Sequence, residues 1–182
     1  MAIRIEEKHV VLVGMMGTGK TAVGRALARR LKRPFYDSDR LIEEREGRSI
    51  PAIFQSDGEA HFRDLEAAVI RDVVERPVGV IATGGGALVR EENRSALKRR
   101  GVLVWLKADL ETMVSRTRGR STRPMLDVQD QRAQLGDLLA ARTPFYSEAA
   151  LNVETSGRTV REVVETIMNR LGGGSMDRLE AQ

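Results

Sequence analysis

Eight consecutive residues have the spacing of a phosphate-binding loop: Gly14, Met15, Met16, Gly17, Thr18, Gly19, Lys20 and Thr21, in the pattern G-x-x-x-x-G-K-[ST]. Glycines let such a loop wrap closely, so that successive N–H groups point at phosphate oxygens. Lys20 has the reach to meet the β- and γ-phosphates of a nucleoside triphosphate, and the Thr21 hydroxyl suits Mg²⁺. Two carboxylates follow, Asp37 and Asp39. One can hold Mg²⁺ through water or accept a hydroxyl proton, and the other can bind two hydroxyls of a polyol. A pair of turn or helix-capping aspartates is the alternative. Arg63 and Arg142 are candidates for gripping a carboxylate bidentately. Each also has a structural reading: Arg63 as a solvated helix residue, Arg142 as a helix-terminal arginine set against the dipole. Gly84, Gly85 and Gly86 are more glycine than a turn needs, and they let a ligand touch backbone.

The elements that position these residues follow from hydropathy and stop signals. Val10 to Val13 is a short β-branched run, which predicts a buried parallel strand over about 9–13. Val23, Leu27 and Leu31, four apart, predict a helix starting near Lys20 that aims its positive dipole end at the phosphate site. Residues 35–39 read as a short strand ending in the carboxylates, and a helix over 40–45 ends at Gly47. Ser49 is the expected N-cap of the next helix, with Pro51 in its first turn. Asp57, Gly58 and Glu59 mark a turn and a new helix start, with Phe62, Leu65, Ala68 and Val69 on its apolar face. A strand over 78–82 runs into Thr83 and the three glycines. A helix over 91–100, a strand over 102–106 and a helix over 109–116 come next. Segment 116–126 is rich in arginine and threonine without apolar periodicity, and reads as a mobile loop. A helix over 130–142 is expected to stop before Thr143 and Pro144. A strand over 151–154 and a helix over 159–171 complete the order.

Strands alternating with helices predict an α/β fold of three layers, a five-stranded parallel sheet with helices on both faces. Ligands then bind at the carboxyl ends of the strands. One domain is expected over 9–171, between a loosely ordered 1–8 and a polar tail over 172–182.

Composition removes several classes. The net charge of +4 comes from 30 Lys plus Arg against 26 Asp plus Glu, mostly interleaved, and aromatics are only 4%, which argues against nucleic acid. With no cysteine, disulfides and thiolate chemistry are excluded. The two histidines, His9 and His61, are too few for a His-rich metal site; His61 reads as an exposed helix residue and Trp105 as core. No apolar run approaches the roughly 20 residues of a membrane span, and residues 1–8 lack a signal-peptide apolar region. A cytoplasmic monomer without membrane or nucleic-acid partners is expected.

Seven motifs occur in one order over about 9–171: Gly14 to Thr21, Asp37 to Asp39, Gly47 to Phe54, Asp57 to Glu59 with Phe62 and Arg63, Thr83 to Gly86, Arg123 to Leu126, and Ala141 to Tyr146. On these the chain resembles the shikimate kinase family, P-loop kinases related in fold to nucleoside monophosphate kinases. The resemblance implies ATP-dependent phosphorylation of the shikimate 3-hydroxyl, with Mg²⁺ as cofactor. It implies that Asp39, Arg63, Gly84, Gly85, Gly86 and Arg142 hold shikimate, with Asp39 accepting from ring hydroxyls and both arginines pairing with the carboxylate. Lys20, Asp37 and Arg123 would be the catalytic groups, Asp37 assisting Mg²⁺ alongside Thr21. Segment 116–126 would be a lid, with Arg123 swinging onto the phosphates and Arg116 stacking on adenine; Arg158 matches an adenine-side loop. Met125 stands where the family usually has leucine, a volume-conserving change. Arg118 and Arg120 make the lid basic and read as solvated. The rivals are a gluconate or nucleotide kinase on the same scaffold, a nucleotide-binding regulator and a basic nucleic-acid module. Two arginines beside Asp39 argue against a neutral polyol, and the presence of Lys20 with the carboxylates argues against a regulator.

Overall fold

The apolar runs pair side by side. In the computed structural model, which describes residues 5–117 and 131–172, β1 (His9–Val13), β2 (Phe35–Asp37), β3 (Val80–Ala82), β4 (Gly101–Lys107) and β5 (Leu151–Glu154) form one parallel sheet in the order β2-β3-β1-β4-β5. β1 is central. It pairs with β3 from Val10↔Val80 to Leu12↔Ala82, and with β4 from His9↔Gly101 to Val13↔Trp105. All five residues of β1 are buried.

Alternation along β1 divides the core. Val10 and Leu12 join Leu27 of α1 (Lys20–Leu31) and Val163 and Ile167 of α7 (Val160–Arg170) on one face. Val11 and Val13 join Ile70 of α3 (Ile50–Val73), Leu97 of α4 (Glu91–Arg100), Met113 of α5 (Leu110–Thr117) and Leu135 of α6 (Gln131–Tyr146) on the other. Each fully buried Val or Leu contributes about 1.5–3 kcal/mol relative to exposure. A smaller cluster of Ile42, Ile53, Phe62 and Val69 ties α2 (Ser38–Glu46) to α3. The three-layer α/β architecture with a five-stranded parallel sheet is the one the pattern predicts. Trp105 is core and His61 is exposed.

Local chemistry sets most element starts. Ser49 caps α3 by accepting from the Ala52 N–H at 3.4 Å, with Pro51 in the first turn. The helix breaks at Gly58 (φ 79°, ψ 175°), where the sequence placed a turn. Thr159 and Glu162 form a reciprocal capping box on α7.

Several segments depart from expectation. β2 stops at Asp37, because the Asp37 carboxylate accepts from the Arg40 N–H and starts α2 at once; Asp39 therefore sits in the first turn of a helix, not at the end of a strand. α6 runs through Pro144 to Tyr146. Proline forfeits its own N–H bond and crowds the preceding turn, yet buried Arg142 and Tyr146 hold the last turn in place. α5 extends to Thr117, which makes Arg116 helical; the rest of the expected lid, with Arg118, Arg120, Arg123 and Met125, lies outside the described residues. Residues 5–8, expected to be loose, offer carbonyls to one guanidinium: Arg33 donates to Ile5 at 2.8 Å, Lys8 at 3.2 Å and Glu6 at 3.3 Å. No helix among the described residues is long and apolar enough to cross a membrane.

His9 links the amino-terminal end of the sheet to the end of α3. Its Nδ1 accepts from the Gly79 N–H at 3.1 Å, so its Nε2 carries the proton and donates to the Val74 carbonyl at 3.2 Å. Burial pushes its pKa below the ordinary 6.5, and the positive charges of Arg100 and Arg33 act the same way. The unfolded chain therefore takes up the proton first as pH falls. Stability attached to neutral His9 is complete above the unfolded value and is lost as pH drops from there toward the folded one. Unfolding free energy should fall as pH drops below about 7, with a shallower fall in a His9→Gln variant, as urea titration would measure. An equal slope in both proteins would contradict this.

Candidate active site

The phosphate loop leaves β1 and enters α1. At Gly17 φ is 80°, and a β-carbon would sit 2.9 Å from the Met113 carbonyl, so only glycine fits. Met15 and Met16 are buried among the core residues; their backbone, not their side chains, belongs to the loop surface. Thr18 closes the turn by donating to the Met15 carbonyl at 2.8 Å. Lys20 donates to the carbonyls of Gly14 and Met15, both at 2.8 Å, which holds its ammonium inside the loop. α1 has no side-chain cap at Gly19, and uncapped N–H groups at a helix start suit an anion.

Asp37 joins two elements with two oxygens. Oδ2 accepts from the Thr21 hydroxyl at 2.8 Å, while Oδ1 takes the Arg40 N–H. The capping and the functional readings of this residue are therefore compatible. A hydroxyl and a carboxylate side by side are hard oxygen donors. No group of three His, Cys, Asp or Glu side chains suited to a metal occurs among the described residues, so an ion here needs further oxygens from a ligand.

A cavity of about 570 Å³ opens over the loop, lined by Gly17 to Val23, Asp37, Asp39, Thr83, Arg116, Arg158 and Val160 among others. Arg116 lies across it, donating to the Gly17 carbonyl at 3.1 Å and to that of Thr155 at 3.3 Å. Arg158 folds against α7, where it donates to Thr166 at 2.7 Å. Val160 is 40% exposed. An apolar side chain and two guanidiniums lining one cavity suit the flat face of a base.

The second half of the site is built around three absent side chains. A β-carbon on Gly84 would lie 2.6 Å from Asp39 Oδ1, one on Gly85 3.4 Å from Arg142 Nη1, and one on Gly86 2.5 Å from Arg63 Nη1. Each glycine thus faces a different residue singled out from the sequence. Arg142, one turn inside α6, is 6% exposed and approaches the Met15 sulphur at 3.8 Å. It is neither at the helix terminus nor solvated.

Sequence reasoning missed Glu66. It is 1% exposed and accepts from Arg63 Nη1 at 2.8 Å. Glu59 binds the same guanidinium at 3.1 Å. Burial pushes the Glu66 carboxyl above its ordinary range; Arg63 pulls it back and Asp39 adds to the rise. Its other oxygen is buried without a hydrogen-bond partner among the described residues and faces Gly84 beside Asp39. The Arg63/Glu66 spacing of three on a helix was the available signal; its burial was not readable. Arg123 lies outside the described residues. Of the other candidates, the phosphate loop, Asp37, Asp39 and the three glycines follow the carboxyl ends of β1, β2 and β3, with Arg63 and Arg142 against the glycines, while Arg116 and Arg158 bond to carbonyls at the end of β5.

The sequence matches the family described as shikimate kinase over residues 16–172. A shikimate kinase of Ruegeria pomeroyi is 52% identical over 165 residues, which is 90% of this chain and 85% of that protein. The structure of a shikimate kinase from Acinetobacter baumannii in complex with shikimate superposes with a TM-score of 0.91 at 39% identity, covering 94% of this chain and 97% of that one. A gluconokinase from Sinorhizobium meliloti superposes at 0.60 with 20% identity over 93% of this chain and 94% of that one, a likeness of fold alone.

The two oxygens of Asp37 predict a separation of effects. Asp37→Asn keeps a good N-cap and should leave thermal stability nearly unchanged while sharply weakening divalent-dependent binding of a nucleoside triphosphate. Asp37→Ala should also cost about 1 kcal/mol of stability. Thermal denaturation with calorimetric nucleotide titration checks both; equal stability losses would remove the capping role.

Proposed function

This chain belongs to the shikimate kinase family, and we propose on that premise that it transfers the γ-phosphoryl group of ATP to the 3-hydroxyl of shikimate, giving shikimate 3-phosphate and ADP. One observation carries the assignment of the acceptor side. Gly84, Gly85 and Gly86 bring bare backbone against Asp39, Arg142 and Arg63 in turn, so hydroxyl-binding and carboxylate-binding groups converge on one loop.

The roles are those the family resemblance implies, and the geometry supports them. Arg63 and Arg142 hold the shikimate carboxylate by charge-assisted hydrogen bonds. Glu66 and Glu59 fix the Arg63 guanidinium from behind, so less side-chain freedom is lost on binding. Asp39 accepts from the ring hydroxyls and orients the one that attacks. Lys20 exchanges the carbonyls of Gly14 and Met15 for phosphate oxygens, and the loop N–H groups with the start of α1 hold the rest. Thr21 and Asp37 are the residues that would hold Mg²⁺, Asp37 through water. Mg²⁺ neutralises charge on the β- and γ-phosphates when bound. Arg116 and Val160 form the base side of the cavity, with Arg158 along its wall. Because phosphoryl transfer needs mainly positioning and charge neutralisation, these residues supply most of what the reaction asks of the protein.

ADP release from MgATP should depend on shikimate and be absent with gluconate or nucleoside monophosphates. Lys20→Ala should abolish this turnover while calorimetry still detects shikimate binding. Turnover with another acceptor and none with shikimate would overturn the assignment of Asp39, Arg63 and Arg142 but keep the nucleotide site.

A further inference from the structure

Tyr146 is the last residue of α6 and is 1% exposed. It lies four residues past Arg142, hence on the same helix face. Its ring packs on Trp105 with centroids 5.6 Å apart. Its hydroxyl donates to the Gly85 carbonyl and stands 3.4 Å from the Met15 sulphur. Gly85 is the middle of the acceptor loop and Met15 belongs to the phosphate loop. One side chain therefore touches both halves of the site, and none of the roles assigned above uses it.

Three consecutive glycines have wide backbone freedom, so this loop needs outside anchors. Its flanks have them. The Gly84 N–H donates to Ser38 Oγ at 3.0 Å, and Asn93 donates to the Ala87 carbonyl at 2.9 Å. Arg94 donates to the carbonyls of Leu88 at 2.6 Å and Val89 at 2.9 Å. Tyr146 holds the centre. A trans peptide is planar, with its C=O and N–H pointing in opposite directions. A donor that fixes the Gly85 carbonyl on the Tyr146 side therefore turns the Gly86 N–H away from it. That N–H has no acceptor among the described residues, and Gly86 lies against the Arg63 guanidinium. Burial holds the phenol pKa up at about 12, so the hydroxyl stays a donor at every pH where the protein works.

We propose that Tyr146 is a positioning residue for acceptor binding: its hydroxyl fixes the Gly85–Gly86 peptide against the phosphate loop and so presents the Gly86 N–H to the acceptor. The inference rests on reading the Arg63 and Arg142 cluster as the acceptor pocket.

Tyr146→Phe removes the donor and keeps the ring on Trp105. The Kd and KM for shikimate should rise about five- to tenfold, with ADP affinity within about twofold and kcat changing less than KM. Unchanged shikimate affinity would overturn the inference. Parallel losses of shikimate and ADP affinity would also overturn it, since lost packing predicts that pattern. In the unaltered protein, shikimate should shift the Gly86 amide resonance; an unmoved resonance overturns the inference whatever the variant does. Arg63→Ala is the control for the reading beneath it. If Arg63→Ala leaves shikimate binding intact, the pocket itself is misassigned; if it weakens binding and Tyr146→Phe does not, the inference alone fails.

Discussion

At Gly86 a β-carbon would meet the Arg63 guanidinium at 2.5 Å, and at Gly84 it would meet the Asp39 carboxylate at 2.6 Å. Backbone and charged side chains can come this close only because nothing stands between them. The approach brings polar N–H groups, two guanidiniums and two carboxylates together, with Glu66 and Arg142 buried. Isolated charges there would be costly to bury, by several kcal/mol each. Arg63 with Glu66 and Glu59 answers this by pairing. The Glu66 oxygen that has no hydrogen-bond partner among the described residues is the kind of local cost that folds carry at functional sites and rarely elsewhere.

The same constraint explains how the two halves of the site are held in register. Both loops leave neighbouring strands, β1 and β3, which pair from Val10↔Val80 to Leu12↔Ala82. Their spacing is therefore set by a ladder of backbone hydrogen bonds rather than by flexible side chains. Asp37 adds a second tie. One of its oxygens holds Thr21 at the start of α1 and the other holds the start of α2, which carries Asp39. Nucleotide-side and acceptor-side groups thus stand on elements fixed by short, local bonds, and positioning of this kind is the main demand of phosphoryl transfer.

Much of this was legible in the residues themselves. The phosphate loop is a contiguous pattern whose chemistry lies in its own backbone. Val10 to Val13 specify a buried strand by composition alone. Ser49 with Pro51, and Gly58, announce their turns because caps and positive φ are decided within a few residues. Asp37 reads as either cap or ligand; it caps α2 with one oxygen and keeps the other on Thr21, so the two readings are compatible. Where the reading slipped, a local rule met a distant partner. Pro144 says stop, but Tyr146 and Arg142 find buried contacts that carry α6 past it. Residues 5–8 have only one local turn bond, from the Lys8 N–H to the Ile5 carbonyl at 3.3 Å, and Arg33, about 25 residues away, adds the rest.

By itself, then, the sequence determined the order of the strands and helices, the nucleotide-binding loop and the family, because each is written in short-range spacing or in motifs of fixed order. The tertiary structure alone decided which charged residues leave water. By itself the sequence offers Arg63 as a solvated helix residue and Arg142 as a helix-terminal one, and it singles out nothing at Glu66. Glu66 and Arg142 are buried, and Arg63 is mostly so, because Gly84, Gly85 and Gly86, from another strand, pack against them with no side chains in the way. Burial is a property of what lies opposite, and what lies opposite comes from the sheet's crossovers, which no window of local sequence contains.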